Sequence, residues 1–237
     1  VIPLRDVNPT RRTPVVTIAL IVACLAVFAY ELGLESGPGD SALTHFMTRY
    51  GVVPARVTAA LDHGELLSPA ALPLVTSQFI HAGWLHLLGN MLYLWIFGNN
   101  VEDRMGRLPF LLLYLGGGVV AALTQVAVDP TSRIPLVGAS GAISAALGAY
   151  LVFFPSARVL TAVFLGFFYQ LVELPAFVLL GFWFVLQLVD GILRLGASSA
   201  VGGGVAFFAH VGGFLMGMAV ALLWRPLVPR GPWDRQW

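Results

Sequence analysis

Charge is scarce in this 237-residue chain: only 11% of its residues are Asp, Glu, Lys or Arg, while 58% are hydrophobic. Soluble domains carry about 25% charged residues, so these are too few to cover a globular surface. Lysine is missing, and all 13 basic residues are arginine, for a net charge of +1. That balance carries no signal for nucleic acid as a partner. Cys24 is the only cysteine and lies in an apolar run, which excludes a disulfide framework. The first 13 residues are polar and an uncleaved apolar run follows, so no removable signal peptide is expected.

What the chain does have is long runs almost free of charge, and these read as membrane spans. They fall at about 14–33, 76–98, 108–128, 136–154, 174–193 and 203–224, each near the ~20 residues that cross the hydrocarbon core. Residues 101–107 read as a short charged turn and 129–135 as a polar loop with two prolines. The stretch 34–75 is a long first loop of mixed character with room for short interfacial helices. The fold class expected is all-α, a polytopic bundle of six transmembrane helices forming one domain over residues 1–237.

Arginine placement sets the orientation. Arg5, Arg11 and Arg12 precede the first span and Arg225, Arg230 and Arg235 follow the last, whereas Glu31, Glu35, Asp40, Asp62 and Glu65 make the first loop acidic. The tails 1–13 and 225–237 are therefore expected to be cytoplasmic, which requires an even number of spans. The apolar run 159–171, between Arg158 and Glu173, is too short to cross and is placed at the cytoplasmic interface or as a re-entrant segment, with Pro175 starting the next span. The lipid bilayer is thus the first partner, and a bacterial inner membrane is the expected location.

Polar groups inside spans are costly and act as pointers to function. Three groups qualify: Ser140 within Gly138-Ala-Ser-Gly141, His210 in the sixth span, and His86 with Asn90, four residues apart on one face of the second. In a six-span chain the second, fourth and sixth spans all run inward from the outside, so the three groups share a depth. For His210 this is about seven residues from the span start, roughly 10 Å. Gly213 and Gly217 follow His210 on its own face, and Ser140, Ser144 and Gly148 recur every four residues with Gly141 and Ala145 beside them. Such small-residue faces bring helix backbones together, as a serine–histidine hydrogen bond requires. Serine becomes a nucleophile when a base takes its proton, and the Asn90 amide and a His86 ring N–H are suited to hold a developing oxyanion. No Asp or Glu is placed as a third member, since Glu173 and Asp190 lie toward the ends of another span. The expectation is a Ser140–His210 dyad.

The strings His81-Ala-Gly-Trp-Leu-His86-Leu-Leu-Gly-Asn90, Gly138-Ala-Ser140-Gly141 and Ala209-His210-Val-Gly-Gly213-Phe-Leu-Met-Gly217 together resemble the rhomboid intramembrane serine proteases. The similarity runs from about residue 76 to 224. It implies a six-helix fold and hydrolysis of transmembrane protein substrates near the outer membrane face. It also implies attack by Ser140, activation by His210, and an oxyanion held by the Ser140 N–H with His86 and Asn90. The 101–106 segment resembles the family's acid-and-arginine turn. One departure is that Leu72-Pro73 stands where many members carry Trp-Arg.

Taken singly, each residue has a plainer reading. Ser140 between small residues packs helices, Asn90 bonds across them, and His81, five residues from His86, faces elsewhere as a structural histidine. The Phe and Trp residues of 164–184 face lipid or the membrane interface. No His-Glu-x-x-His helix is present, so neither a metal nor a cofactor is expected. A transporter would show inverted repeats or paired broken helices, and neither is evident. A catalytically dead relative would lack residues that are all present here.

Overall fold

Twenty-one residues that follow Pro14 form α1 (Val15–Glu35), apolar on every face, as a helix surrounded by protein and lipid can be. Its first turn is closed from far away in the chain. The Glu102 carboxylate accepts the Val16 N–H at 2.9 Å and both the Thr17 N–H and hydroxyl at 2.8 Å, and Asp103 accepts the Arg11 and Arg12 N–H groups. The computed structural model describes residues 1–35, 41–65, 71–165, 168–195 and 205–227.

The first loop carries the short helices α2 (Ser41–Tyr50), α3 (Pro54–Asp62) and α4 (Leu72–Thr76), the last starting at the Leu72-Pro73 pair. A single tight turn at Ser77–Phe79 precedes α5 (Trp84–Tyr93). This helix continues through a π-helical turn at Leu94–Gly98 into α6 (Asn99–Met105). The long helix of the span expected from residue 76 therefore starts only at Trp84, because Gly83 turns to φ 154° and the His81 N–H is tied to the Glu31 carboxylate. Residues 101–105, expected as a turn, are helical, and the reversal falls on Gly106 at φ 89°. Then come α7 (Arg107–Val128), α8 (Ser140–Phe153), α9 (Ala176–Leu193) and α10 (Phe207–Trp224).

Among the described residues four helical stretches, Val15–Glu35, Arg107–Val128, Ala176–Leu193 and Phe207–Leu227, are long and apolar enough to cross a membrane. The chain is an integral membrane protein. At 14 residues α8 is shorter than these, about 21 Å against a hydrocarbon core of ~30 Å. It is also the most enclosed, with Tyr150, Leu147 and its alanines buried among Phe97, Phe110, Tyr114 and Phe214.

The chain is mostly helical but not all-α. Strand β1 (Ile2–Asp6) pairs antiparallel with β2 (Arg158–Leu165), which pairs antiparallel with β3 (Phe168–Pro175). The described residues of the run 159–171 are therefore strand and not helix. They belong to the paired strands β2 and β3, and part of the polar N-terminal stretch is the third strand of the sheet. Val159, Leu160, Val163, Val172 and Leu174 supply the β-branched and aliphatic side chains that suit a pleated surface. The pairing brings residues 2–6 and 158–162 to one end of the bundle. At the other end the first loop meets the α7–α8 connection, with Val52 bridged to Leu136 and the Ala55 N–H donating to the Ser132 carbonyl.

Candidate active site

Ser140 is the first residue of α8, so its N–H is among those with no acceptor inside the helix. His210 is the fourth residue of α10. Residues 203 and 204 of the expected span lie outside the described residues, and α10 begins at Phe207, so His210 sits within its helix's first turn rather than two turns in. Both side chains thus emerge from helix starts, and His210 Nε2 lies 2.8 Å from Ser140 Oγ.

Glycines permit that distance. A Cβ on Gly213 would overlap the Gly141 carbonyl, one on Gly217 the Ala145 carbonyl, and one on Gly148 the Phe214 carbonyl. Backbone meets backbone at each of these points, with no flexible side chain to give way. Gly141 lies close to Ala121 of α7, where its Cβ would stand 2.7 Å from the alanine methyl. Ser144 is occupied otherwise, its hydroxyl donating to the Ser140 carbonyl at 2.7 Å.

Gly138 stands before α8, at φ 125°, a conformation side chains resist. A Cβ there would lie 2.6 Å from His86 Nε2 and 3.7 Å from Ser140 Oγ, so the imidazole edge fills the space the glycine leaves. The Ala82 N–H donates to His86 Nδ1 at 3.4 Å. An Nδ1 that accepts leaves the ring proton on Nε2, the nitrogen on the Ser140 side. Asn90 lies one turn further along α5, 7% exposed, and its Nδ2 has no hydrogen-bond partner among the described residues. A buried amide donor without a protein partner costs stability unless another group meets it. Ser140 opens onto a small cavity lined also by Gln78, Gly118, Val137, Gly138 and Ala209.

The far side of His210 holds two residues that the sequence reading missed. Gln187 Oε1 lies 2.7 Å from His210 Nδ1. The Trp183 ring, one turn earlier on α9, lies 5.8 Å from the imidazole at 35°. Trp183 and Phe184 also pack on Phe214, so these two aromatics face protein where lipid or the interface was expected. Phe164, Phe168, Phe177 and Phe182 are exposed. His81 is a further difference. It precedes α5, so helical spacing does not apply to it, and its fully buried ring meets His86 edge-on at 5.2 Å. Glu31, counted with the acidic loop, is buried on α1 beneath it. Glu173 is exposed on β3. Among the described residues no group of three His, Cys, Asp or Glu side chains could hold a metal ion.

The sequence model of the Rhomboid domain matches residues 69–226. The chain belongs to the rhomboid family. Among its relatives are the rhomboid protease GluP of Bacillus subtilis, 30% identical over 184 residues that make up 78% of this chain and 31% of the relative. The putative rhomboid protease YdcA of the same organism is 37% identical over 33% of this chain and 39% of its own. The mitochondrial presenilin-associated rhomboid-like protein A of Danio rerio is 39% identical over 37% of this chain and 23% of its own. The rhomboid chain thus spans less than two fifths of the length of these relatives. Because rhomboid relatives are mitochondrial and chloroplastic as well as bacterial, an expected bacterial inner membrane is narrower than family membership carries. A membrane-embedded rhomboid domain is common ground.

Proposed function

We propose that this chain is an intramembrane serine protease that hydrolyses peptide bonds of transmembrane protein substrates near the outer membrane face through a Ser140–His210 dyad. The observation that carries the reading is the 2.8 Å contact between His210 Nε2 and Ser140 Oγ, held between two helix backbones in contact. In the first step Ser140 Oγ attacks the scissile carbonyl carbon while its proton passes to His210 Nε2. The oxyanion that forms lies within reach of the Ser140 N–H at the positive end of α8, with His86 Nε2–H and the Asn90 amide as further donors. The imidazolium returns its proton to the departing amine as the C–N bond breaks. Water then repeats the attack on the acyl-serine, with His210 again as base. None of these donors needs to change charge, which suits a site enclosed by apolar helices.

The same reading takes α1, the α5–α6 rod, α7, α8, α9 and α10 as six crossings of a single domain. Residues 1–13 and 225–237 are on the cytoplasmic side and 34–75 outside. The arginine bias supports it, as does the β1–β2 pairing, which requires residues 2–6 and 158–162 to share one face.

The test is cleavage of a fluorescently labelled single-span substrate by the purified protein, beside Ser140→Ala and His210→Ala. Cleavage by wild type with both variants inert is the expected result. Undiminished cleavage by Ser140→Ala would sink the mechanism, and a wild type that binds transmembrane segments without cutting any would make the chain a regulatory relative.

A further inference from the structure

His210 must present a bare Nε2 to take the Ser140 proton, so in the neutral ring the proton must rest on Nδ1. We propose that Gln187 makes that choice as a positioning residue, its carboxamide oxygen accepting the Nδ1 proton of His210 and holding the ring with Nε2 turned to Ser140. The inference rests on the Ser140–His210 reading and extends it from two residues to three.

Three observations carry it. Gln187 Oε1 and His210 Nδ1 are 2.7 Å apart while Nε2, across the same ring, is 2.8 Å from Ser140 Oγ, so one imidazole is gripped at both nitrogens. A carboxamide oxygen only accepts, and its partner nitrogen must therefore carry the proton. Trp183, one turn before Gln187, lies against the same imidazole at 5.8 Å. The edge of the ring is set by one residue of α9 and its face by another. Gly191, a further turn on, has Phe207 and Phe208 of α10 packed where its Cβ would be. The i, i+4, i+8 row 183–187–191 is thus the face that α9 turns to the start of α10.

An amide fits this position better than a carboxylate. A buried carboxylate would carry an uncompensated charge whenever the imidazole is neutral, at a large desolvation cost. The amide offers the same acceptor with no net charge and still points its negative end at the imidazolium formed during attack. The reversed amide gives the opposite result. An NH2 aimed at Nδ1 would drive the proton to Nε2, where it faces Ser140 and blocks proton transfer. The proposal therefore commits to one tautomer, and that can be measured.

The experiment compares Gln187→Leu and Gln187→Glu with wild type on a single-span substrate in lipid, with Ser140→Ala and His210→Ala as references. Solid-state NMR of 15N-histidine protein, assigned with His210→Ala, reads the tautomer. We expect Gln187→Leu to lower kcat by roughly 10- to 100-fold with KM little changed, as for a buried donor left unpaired. Gln187→Glu keeps an acceptor but adds a charge with its desolvation cost, so its kcat falls between wild type and Gln187→Leu. A kcat no higher than that of Gln187→Leu counts against the proposal. Wild-type His210 is expected to carry its proton on Nδ1, with mixed signals in Gln187→Leu. A residue that only ties α9 to α10 would change thermal stability and leave kcat and the tautomer alone. Wild-type kcat in Gln187→Leu, or a proton on Nε2 of the wild type, overturns the proposal. If Gln187→Leu does not fold, the wild-type spectrum and Gln187→Glu decide. An active Ser140→Ala would instead overturn the dyad itself, so the two failures are distinguishable.

Discussion

Adding one methyl group at Gly213 is the sharpest perturbation of this site. Gly213 lies three residues after His210 in α10, and a Cβ there would run into the Gly141 carbonyl, next to Ser140. Both sides of the contact are backbone, so only the helices themselves are able to give way. Restoring ordinary van der Waals distance means parting α8 and α10 by roughly 1 Å, an overpacking strain of about 1–3 kcal/mol. The same shift would stretch the 2.8 Å His210–Ser140 contact beyond hydrogen-bonding range. A misplacement of about 1 Å costs on the order of 100-fold in rate. The expected outcome for Gly213→Ala is therefore a folded protein with kcat/KM down by about two orders of magnitude. Its Ser140 should react far more slowly with a fluorophosphonate. Gly181→Ala on α9 is the control, since nothing lies within 4 Å of a Cβ there. Wild-type turnover and labelling in Gly213→Ala would refute the argument that close backbone approach sets the dyad geometry.

Other perturbations reach different parts of the molecule. Asn90→Ala and His86→Ala lower kcat by roughly 10²- to 10³-fold each, as losing an oxyanion donor does elsewhere, and Asn90→Ala leaves thermal stability nearly unchanged because its Nδ2 has no partner to lose; full turnover in either variant removes that residue from the oxyanion site. Glu102→Ala strips the acceptor from two α1 N–H groups and the Thr17 hydroxyl, so unfolding in detergent shifts by about 3 kcal/mol or more, and an unchanged midpoint contradicts that cap. Burial pushes the Asp6 carboxyl from 3.8 up to about 6, against a Tyr150 hydrogen bond that pulls it down. The folded protein thus holds this proton more tightly than the unfolded chain, so the contribution is complete below pH ~4 and lost as pH rises through about 6, a span worth roughly 3 kcal/mol. Hydrogen exchange in β1, corrected for intrinsic rate, is expected to be slower at about pH 5 than at about pH 7.5, and Asp6→Asn abolishes the difference. A flat wild-type profile contradicts it.

The candidate site residues stood out in the sequence because each broke a local rule. Ser140, His86, Asn90 and His210 are polar groups in apolar runs, and the glycines beside them recur at helical spacing. Gln187 broke the same rule and was passed over, lying in a span whose other polar residues sit near its end. Its relation to Trp183, four residues earlier, was the available signal. The β-hairpin was harder to read. The run 159–171 is apolar throughout, and short apolar runs do not declare their period. Its partner β1 lies more than 150 residues away, and no local pattern joins Ile2 to Ala162. His81 and Glu31 were misread for a related reason, since both depend on where α5 starts and Gly83 delays that start by several residues.

The β1–β2 pairing also sets an order of assembly. Residues 2–6 leave the ribosome well before β2, which appears only after α1 to α8 have been made. At about 5–20 residues per second the first strand waits roughly 8 to 30 seconds for its partner. Until β2 is made β1 has no strand to pair with, although Asn100 and Tyr150, which both donate to the Asp6 carboxylate in the folded protein, are already present. The strand joins when α8 and the chain just beyond it have been made. Its docking therefore records that the helix carrying Ser140 has been made, ahead of α9 and α10, which carry Gln187 and His210.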